Sequence, residues 1–162
     1  MTIDEVFKAL GDFIKPLVLC PIIKWQKNFV SMPKGPFILM TQKAQNRLGF
    51  DEVTYNGVDN QTLTRYTQYD IQLDFYGAAS GDLAGIVETA FRSEYACEKF
   101  GADIQPLYCS DAIQMPLVNA EQNYEERWTL TASMQANLDV VLGQQSANTL
   151  VVTPVNVEAT YP

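Results

Sequence analysis

Three sets of residues in the 162-residue chain have types and spacings that could do chemistry: the run Gly77-Ala78-Ala79-Ser80-Gly81-Asp82, the carboxylates Asp70, Asp74, Glu125 and Glu126, and the thiols Cys20, Cys97 and Cys109. The glycine-containing run has the outline of a phosphate-binding turn, but no lysine follows its last glycine. Asp82 also sets a carboxylate where an anion would have to sit. A tight turn capping a helix is the better reading. Asp70 and Asp74 share one face of a strand, where four steps of ~3.3 Å separate them by roughly 13 Å. Paired-carboxylate hydrolysis needs about 5–9.5 Å. Glu125 and Glu126 are sequence neighbours on a strand-like stretch, so they point to opposite faces. The thiols form no C-x-x-C, which argues against a zinc site or disulfide framework and for buried free thiols. Cys97 falls near a helix C-terminus, a poor place to stabilise a thiolate. The chain has no histidine, which removes Ser-His and Cys-His activation and every His-ligated metal site. No cofactor is expected, and the chain does not read as an enzyme.

The elements that position these groups follow from periodicity. Residues 64–101 read as a strand running into a helix. Arg65, Thr67, Tyr69, Ile71, Leu73 and Phe75 alternate with Tyr66, Gln68, Asp70, Gln72 and Asp74. Ser80 is then expected to cap a helix whose stripe is Leu83, Ile86, Val87, Ala90, Phe91 and Tyr95, ending at Lys99 and Gly101. A first amphipathic helix begins at the cap Thr2, carries Ile3, Val6, Phe7, Leu10, Phe13, Ile14 and Leu17 at helical spacing, and ends near Pro16. Short strands are expected at 21–28 and 37–43, with a proline-containing loop at 29–36 between them. Residues 44–60 read as a hairpin arm, 104–117 as a short or edge strand, and 124–137 as a strand with Trp128, Leu130, Ala132, Met134 and Ala136 on its apolar face. A last strand at 149–158 would be interrupted by Pro154. The class is α+β: a mainly antiparallel sheet with two helices packed on one face.

Composition sets the outer bounds. With 47% hydrophobic residues the chain can bury a core, and its length suits one domain over residues 1–162, of which 138–162 form a C-terminal extension. No apolar run is long enough to cross a membrane and Thr2-Ile3-Asp4-Glu5 is no signal peptide, so the expectation is a soluble protein made in a cytoplasm, with no membrane partner. The net charge of −8 disfavours sequence-specific nucleic-acid binding.

Three segments carry a resemblance: Met32-Pro33-Lys34-Gly35-Pro36-Phe37-Ile38-Leu39-Met40-Thr41, Arg92-Ser93-Glu94-Tyr95-Ala96-Cys97 and Tyr124-Glu125-Glu126-Arg127-Trp128. In order and spacing they resemble the neck terminator proteins of tailed bacteriophages with contractile tails. The resemblance implies a tail-terminator-like α+β fold and a structural, non-catalytic role in the virion neck, assembled in the host bacterial cytoplasm. It also implies a ring of six subunits that caps the head-proximal end of the tail tube and joins it to the head-tail connector, with the sheath as a further neighbour and DNA passing through the centre.

For such a ring the loop 29–36 offers Phe29, Val30, Met32 and Lys34, and the arm offers Tyr55, as contacts with a neighbouring subunit. Ordinary core packing is the alternative for Phe29 and Met32. Asp70, Asp74, Glu125 and Glu126 are the expected lining of an acidic bore that lets duplex DNA slide, against the alternative that acidity only keeps free subunits soluble. Two other functions fit the same residues. One is a neighbouring connector or tail completion protein, and the other a cytoplasmic small-ligand-binding domain with Tyr66 and Tyr76 as wall residues.

Overall fold

The computed structural model describes residues 2–25, 33–57, 59–118 and 124–145. Helix α1 (Ile3–Ile14) starts as its sequence dictates: the Thr2 hydroxyl accepts from the Glu5 backbone N–H and the Glu5 carboxylate accepts from the Thr2 N–H. Its buried face is Val6, Phe7, Leu10, Phe13 and Ile14. Strands β1 (Ile22–Lys24), β2 (Phe37–Arg47), β3 (Glu52–Asn56) and β4 (Asn60–Tyr76) follow, then helices α2 (Ser80–Phe91) and α3 (Glu94–Lys99). The chain continues as β5 (Ile104–Cys109), β6 (Ile113–Gln114), β7 (Leu117–Val118), β8 (Tyr124–Glu125) and β9 (Arg127–Gly143).

Seven strands make one mixed, mostly antiparallel sheet in the order β1-β2-β4-β9-β5, with β3 added to β4 and β6 to β9. Among the described strands only β1 and β2 run parallel. Strands β4 and β9 are both 17 residues long and pair along their whole length, from Asn60 opposite Gly143 to Tyr76 opposite Arg127. Register puts Thr67, Tyr69, Ile71, Leu73 and Phe75 opposite Ala136, Met134, Ala132, Leu130 and Trp128. Those two rows form the core face, and the helices bury it in one cluster with Ile38 and Met40 of β2. The α+β class and the alternation in both long strands are as the sequence led us to expect.

The helical region after β4 departs from expectation in three ways. Ser80 is not the cap: Ala79 takes that position with φ 62° and no side-chain cap bond, while Ser80 becomes the first helical residue, buried with its Oγ unpartnered. The buried stripe is Ser80, Ala84, Val87 and Phe91, and Ile86 is 47% exposed. Small residues face the sheet because α2 sits close to it; a Cβ added to Gly81 would stand 2.9 Å from the Trp128 ring. The helix also does not run through to Gly101. Ser93 turns extended and its hydroxyl donates to the Ala90 carbonyl at 2.7 Å, a local bond that competes with the helix, and α3 starts afresh at Glu94. The described residues therefore carry three helices rather than two.

Ala79 offers a direct check on this turn. A left-handed backbone costs a non-glycine residue roughly 1–2 kcal/mol, part of which glycine's own flexibility offsets. Ala79→Gly is expected to raise stability by roughly 0.5–1 kcal/mol, read as a higher denaturant midpoint at unchanged slope.

Both long strands outrun the helix layer. β9 continues past Asn137 to Gly143, β2 reaches Arg47, and β3 forms a hairpin with the start of β4, so the arm expected at 44–60 is a three-stranded extension of the main sheet. At the other end the strand expected from Tyr124 is broken at Glu126, and β8 pairs with β7 in a separate two-stranded sheet.

Candidate functional site

The sheet face turned away from the helices is polar. Gln68, Asp70, Gln72 and Asp74 of β4 stand opposite Gln135, Ser133, Thr131 and Thr129 of β9. Asp74 is only 3% exposed. Its Oδ1 accepts from Arg127 Nη2 at 2.9 Å and Nε at 3.3 Å, and Gln72 Nε2 donates to both carboxylate oxygens. Asp70 is half-buried and accepts from Ser133 Oγ at 2.6 Å and Gln68 Nε2 at 2.8 Å. The two aspartates thus lie on one face, and Asp74 has its charge met inside the subunit. Glu126 accepts from the Trp128 indole N–H at 3.1 Å, while Glu125 is exposed.

One groove of about 870 Å³ gathers several of the expected residues. It is lined by Pro33–Phe37, Tyr76–Ala78, Glu125 and Glu126, which brings Lys34 to the same end of the sheet as the two glutamates. The Phe37 and Tyr76 rings stack at 4.6 Å beneath it and the Arg127 guanidinium lies over Tyr76 at 5.6 Å. Burial pushes the Tyr76 phenol up, Arg127 pulls it back, and Asp74 adds to the rise. Phe29, Val30 and Met32 lie outside the described residues. Tyr55 is exposed on β3, paired with Gln61 at the far end of β4, about 50 Å along the strand from Tyr76. Tyr66 and Tyr76 are ten residues apart on that strand, roughly 33 Å, so they do not wall a common pocket. Tyr66 instead donates to Glu52, and that bond raises its pKa first, with burial second.

Among the described residues no group of three or more His, Cys, Asp or Glu side chains is placed to hold a metal ion. No helix there is long and apolar enough to cross a membrane. The thiols differ from the expectation that all are buried: Cys109 is, but Cys20 is half-buried and Cys97 exposed. Burial pushes the Cys109 thiol up to about 12 and raises Cys20 as well, so neither is set up as a nucleophile.

Two features escaped the sequence reading. Arg92 clasps α2 to the segment after β5: it pairs with Glu88 at 3.1 Å and Asp111 at 2.6 Å and donates to the Cys109 carbonyl. The bond to Asp111 leads the rise in its pKa. The Glu88/Arg92 spacing of four on a helix was the available signal. Exposed apolar side chains also gather at opposite edges of the sheet. Leu107, Tyr108, Ile113 and Met115 follow the β5 and β6 edge, and Trp25 lies just past β1 on the other side. Periodicity could not separate these from core residues, because edge strands use the same alternation.

Residues 4–160 match the phage neck terminator protein family. Among solved structures, the cryo-EM structure of the PVC sheath/tube terminator in its extended state, from an extracellular contractile injection system, matches with a TM-score of 0.63 at 13% identity. The match covers 99% of this chain and 65% of that chain, so this chain spans just under two thirds of its length. At this identity the likeness concerns the fold. No curated protein sequence matches the chain.

Proposed function

Because the chain belongs to the phage neck terminator protein family, we propose that it closes into a ring, of six subunits, at the head-proximal end of a tail tube and joins the tube to the head-tail connector. A terminator role in a phage-like injection apparatus makes this a virion-associated structural protein. The observation that carries the ring is the chemistry of the two sheet edges. Leu107, Tyr108, Ile113 and Met115 are exposed on one edge and Trp25 beyond the other, and a head-to-tail contact between copies would bury unlike edges against each other at every interface. The groove at Lys34, Glu125 and Glu126 and the arm bearing Tyr55 sit at opposite ends of the sheet, which suits them to neighbours above and below, the tube, the sheath and the connector.

The polar sheet face is the surface that suits a bore for DNA. It offers Asp70, with Asp74 already neutralised by Arg127. A face of amides, hydroxyls and few net charges gives duplex DNA no counterion-releasing contacts, so the DNA slides without sequence-specific binding.

Electron microscopy of intact particles, with this polypeptide labelled, is expected to find a closed ring between tube and head. Finding the polypeptide only in lysate and never in purified particles would defeat the proposal. Tyr108→Asp with Ile113→Asp, both on exposed positions, is expected to leave a folded subunit that no longer enters particles. Normal incorporation of that variant would remove the edge contact.

A further inference from the structure

The arm has two strand edges that meet no described strand. Gln144 N–H donates to the Asp59 carbonyl and Leu48 N–H to the Tyr66 carbonyl. Odd-numbered residues at the start of β4 therefore turn their backbone groups to β9, and even-numbered ones turn theirs to the side of β2 and β3. With both Glu52 and Asp139 opposite Thr64, the groups left pointing outward belong to Val53 and Tyr55 on β3 and to Asp139, Val141 and Gly143 on β9. β5 takes the β9 edge only as far as Ala136. On the helix side of the arm, Val53, Leu63 and Val140 form one row across the three strands, and Tyr55, Gln61 and Leu142 form the next. Val53 is 45% exposed, Tyr55 66%, Val140 42% and Leu142 41%.

We infer that these two edges close on each other between copies: β3 of one subunit pairs in parallel with residues 139–143 of β9 in the next. The inference rests on the ring proposed above. Strands β3 and β9 both run antiparallel to β4, so they share a direction, and rotation about a ring axis along the strands preserves it. In a parallel pair, a residue bonded across the gap bonds to the two residues that flank the one opposite it. Val53 then stands opposite Val140 and bonds to the Asp139 carbonyl and the Val141 N–H. Tyr55 stands opposite Leu142 and bonds to the Val141 carbonyl and the Gly143 N–H. All four side chains lie on the helix side, so both copies keep their helices on one side and their polar faces on the other. Antiparallel pairing would set Val53 against Asp139 or Val141, whose side chains lie on the polar side, and would turn one copy over.

Length sets the register. β3 is five residues long, Glu52–Asn56, and Asp139–Gly143 gives each of them a place. A slide of two residues one way would carry Tyr55 past Gly143, the end of β9. A slide of two the other way would press Glu52 against the start of β5, where Ile104 pairs with Ala136. The contact also continues the one between the unlike edges. β3 lies on the side of the sheet that carries Trp25, and the free end of β9 lies on the side of Leu107, Tyr108, Ile113 and Met115, so one head-to-tail contact engages both. Its unfavourable neighbours are Glu52 and Asp139 on the polar side, each already accepting from a hydroxyl, of Tyr66 and of Thr64. Closing both edges protects the arm from pairing with arbitrary chains, and its tip at Gly57 stays open to a neighbour above or below.

The test uses particles built with the full chain carrying Val53→Cys and Val140→Cys, with Cys20 and Cys97 changed to serine. Within one subunit Leu63 stands between the two positions, so their Cα atoms are ~10 Å apart, beyond disulfide reach, whereas the pairing between copies sets them ~4.8 Å apart. Mild oxidation is expected to give a ladder of cross-linked multimers on a non-reducing gel. Val53→Cys with Val141→Cys, whose side chains lie on opposite sides, is expected to give none. Free thiols, equal ladders in both variants, or dimers from Val53→Cys alone would overturn the pairing, the last by joining two β3 edges. In particles of the unsubstituted chain, electron microscopy is expected to place β3 of each copy ~4.8 Å from β9 of the next, and a gap of ~10 Å or more would also overturn it. A ring with that gap leaves the ring standing and removes only the pairing. Absence of the unsubstituted polypeptide from particles removes the ring, and the pairing with it.

Discussion

Replacing Arg127 with leucine is expected to lower folding stability by about 3–5 kcal/mol, the usual effect of stranding one partner of a buried ion pair. Asp74 is 3% exposed and its Oδ1 takes two guanidinium nitrogens, so without Arg127 its charge keeps only the Gln72 amide. The leucine also gives up the contact with the Tyr76 ring. Arg127→Lys keeps the charge and loses the fork, and should fall between the variant and the parent. Changing Asp74 to leucine together with Arg127 to methionine should recover most of the loss, because no charge is then left buried. Denaturant unfolding of the three variants checks the order. A leucine variant within about 1 kcal/mol of the parent would mean that the pair contributes no more than a surface bridge.

Phe13→Ala is expected to cost about 3–5 kcal/mol, in the range for a buried phenylalanine. Phe13 is where α1 meets the other two helices: its ring is 5.8 Å from Phe91, 5.9 Å from Tyr95 and 5.0 Å from Phe100. Truncating it opens a space bounded by elements far apart in sequence, which cannot all close in. Phe13→Leu should recover most of the stability by keeping volume. Loss of near-ultraviolet signal at retained helix content would show that α1 loosens from α2 and α3 while each keeps its own turns. Stability changed by under about 1 kcal/mol would show that the neighbouring rings fill the space themselves.

Legibility followed the range of the interactions. The alternation of Thr67 to Phe75 and of Trp128 to Ala136 gave two central strands, and the Thr2/Glu5 pair gave the start of α1, because each is set within a few residues. The break at Ser93 was missed because a single hydroxyl bond to Ala90 decides it. The face of α2 was misplaced because its closeness to Trp128 selects Ser80 and Ala84 over the bulkier Leu83 and Ile86, and that closeness is a tertiary fact. The ion pair of Asp74 was not legible because its partner lies 53 residues away, and only the register of β4 with β9 brings them together. The groove at Lys34, Glu125 and Glu126 joins two of the segments that carried the family resemblance, so their relation could be recognised without their contact being derived.

The unbroken pairing of β4 with β9 also decides how the subunit bears load. The two strands run side by side from the core to the tip of the arm, so a pull along the arm is a shear across all the bonds of one ladder at once. A pull across the sheet would instead part them one after another. A molecule gripped by its arm at one end and by its helix-covered body at the other is therefore strongest along the strand axis.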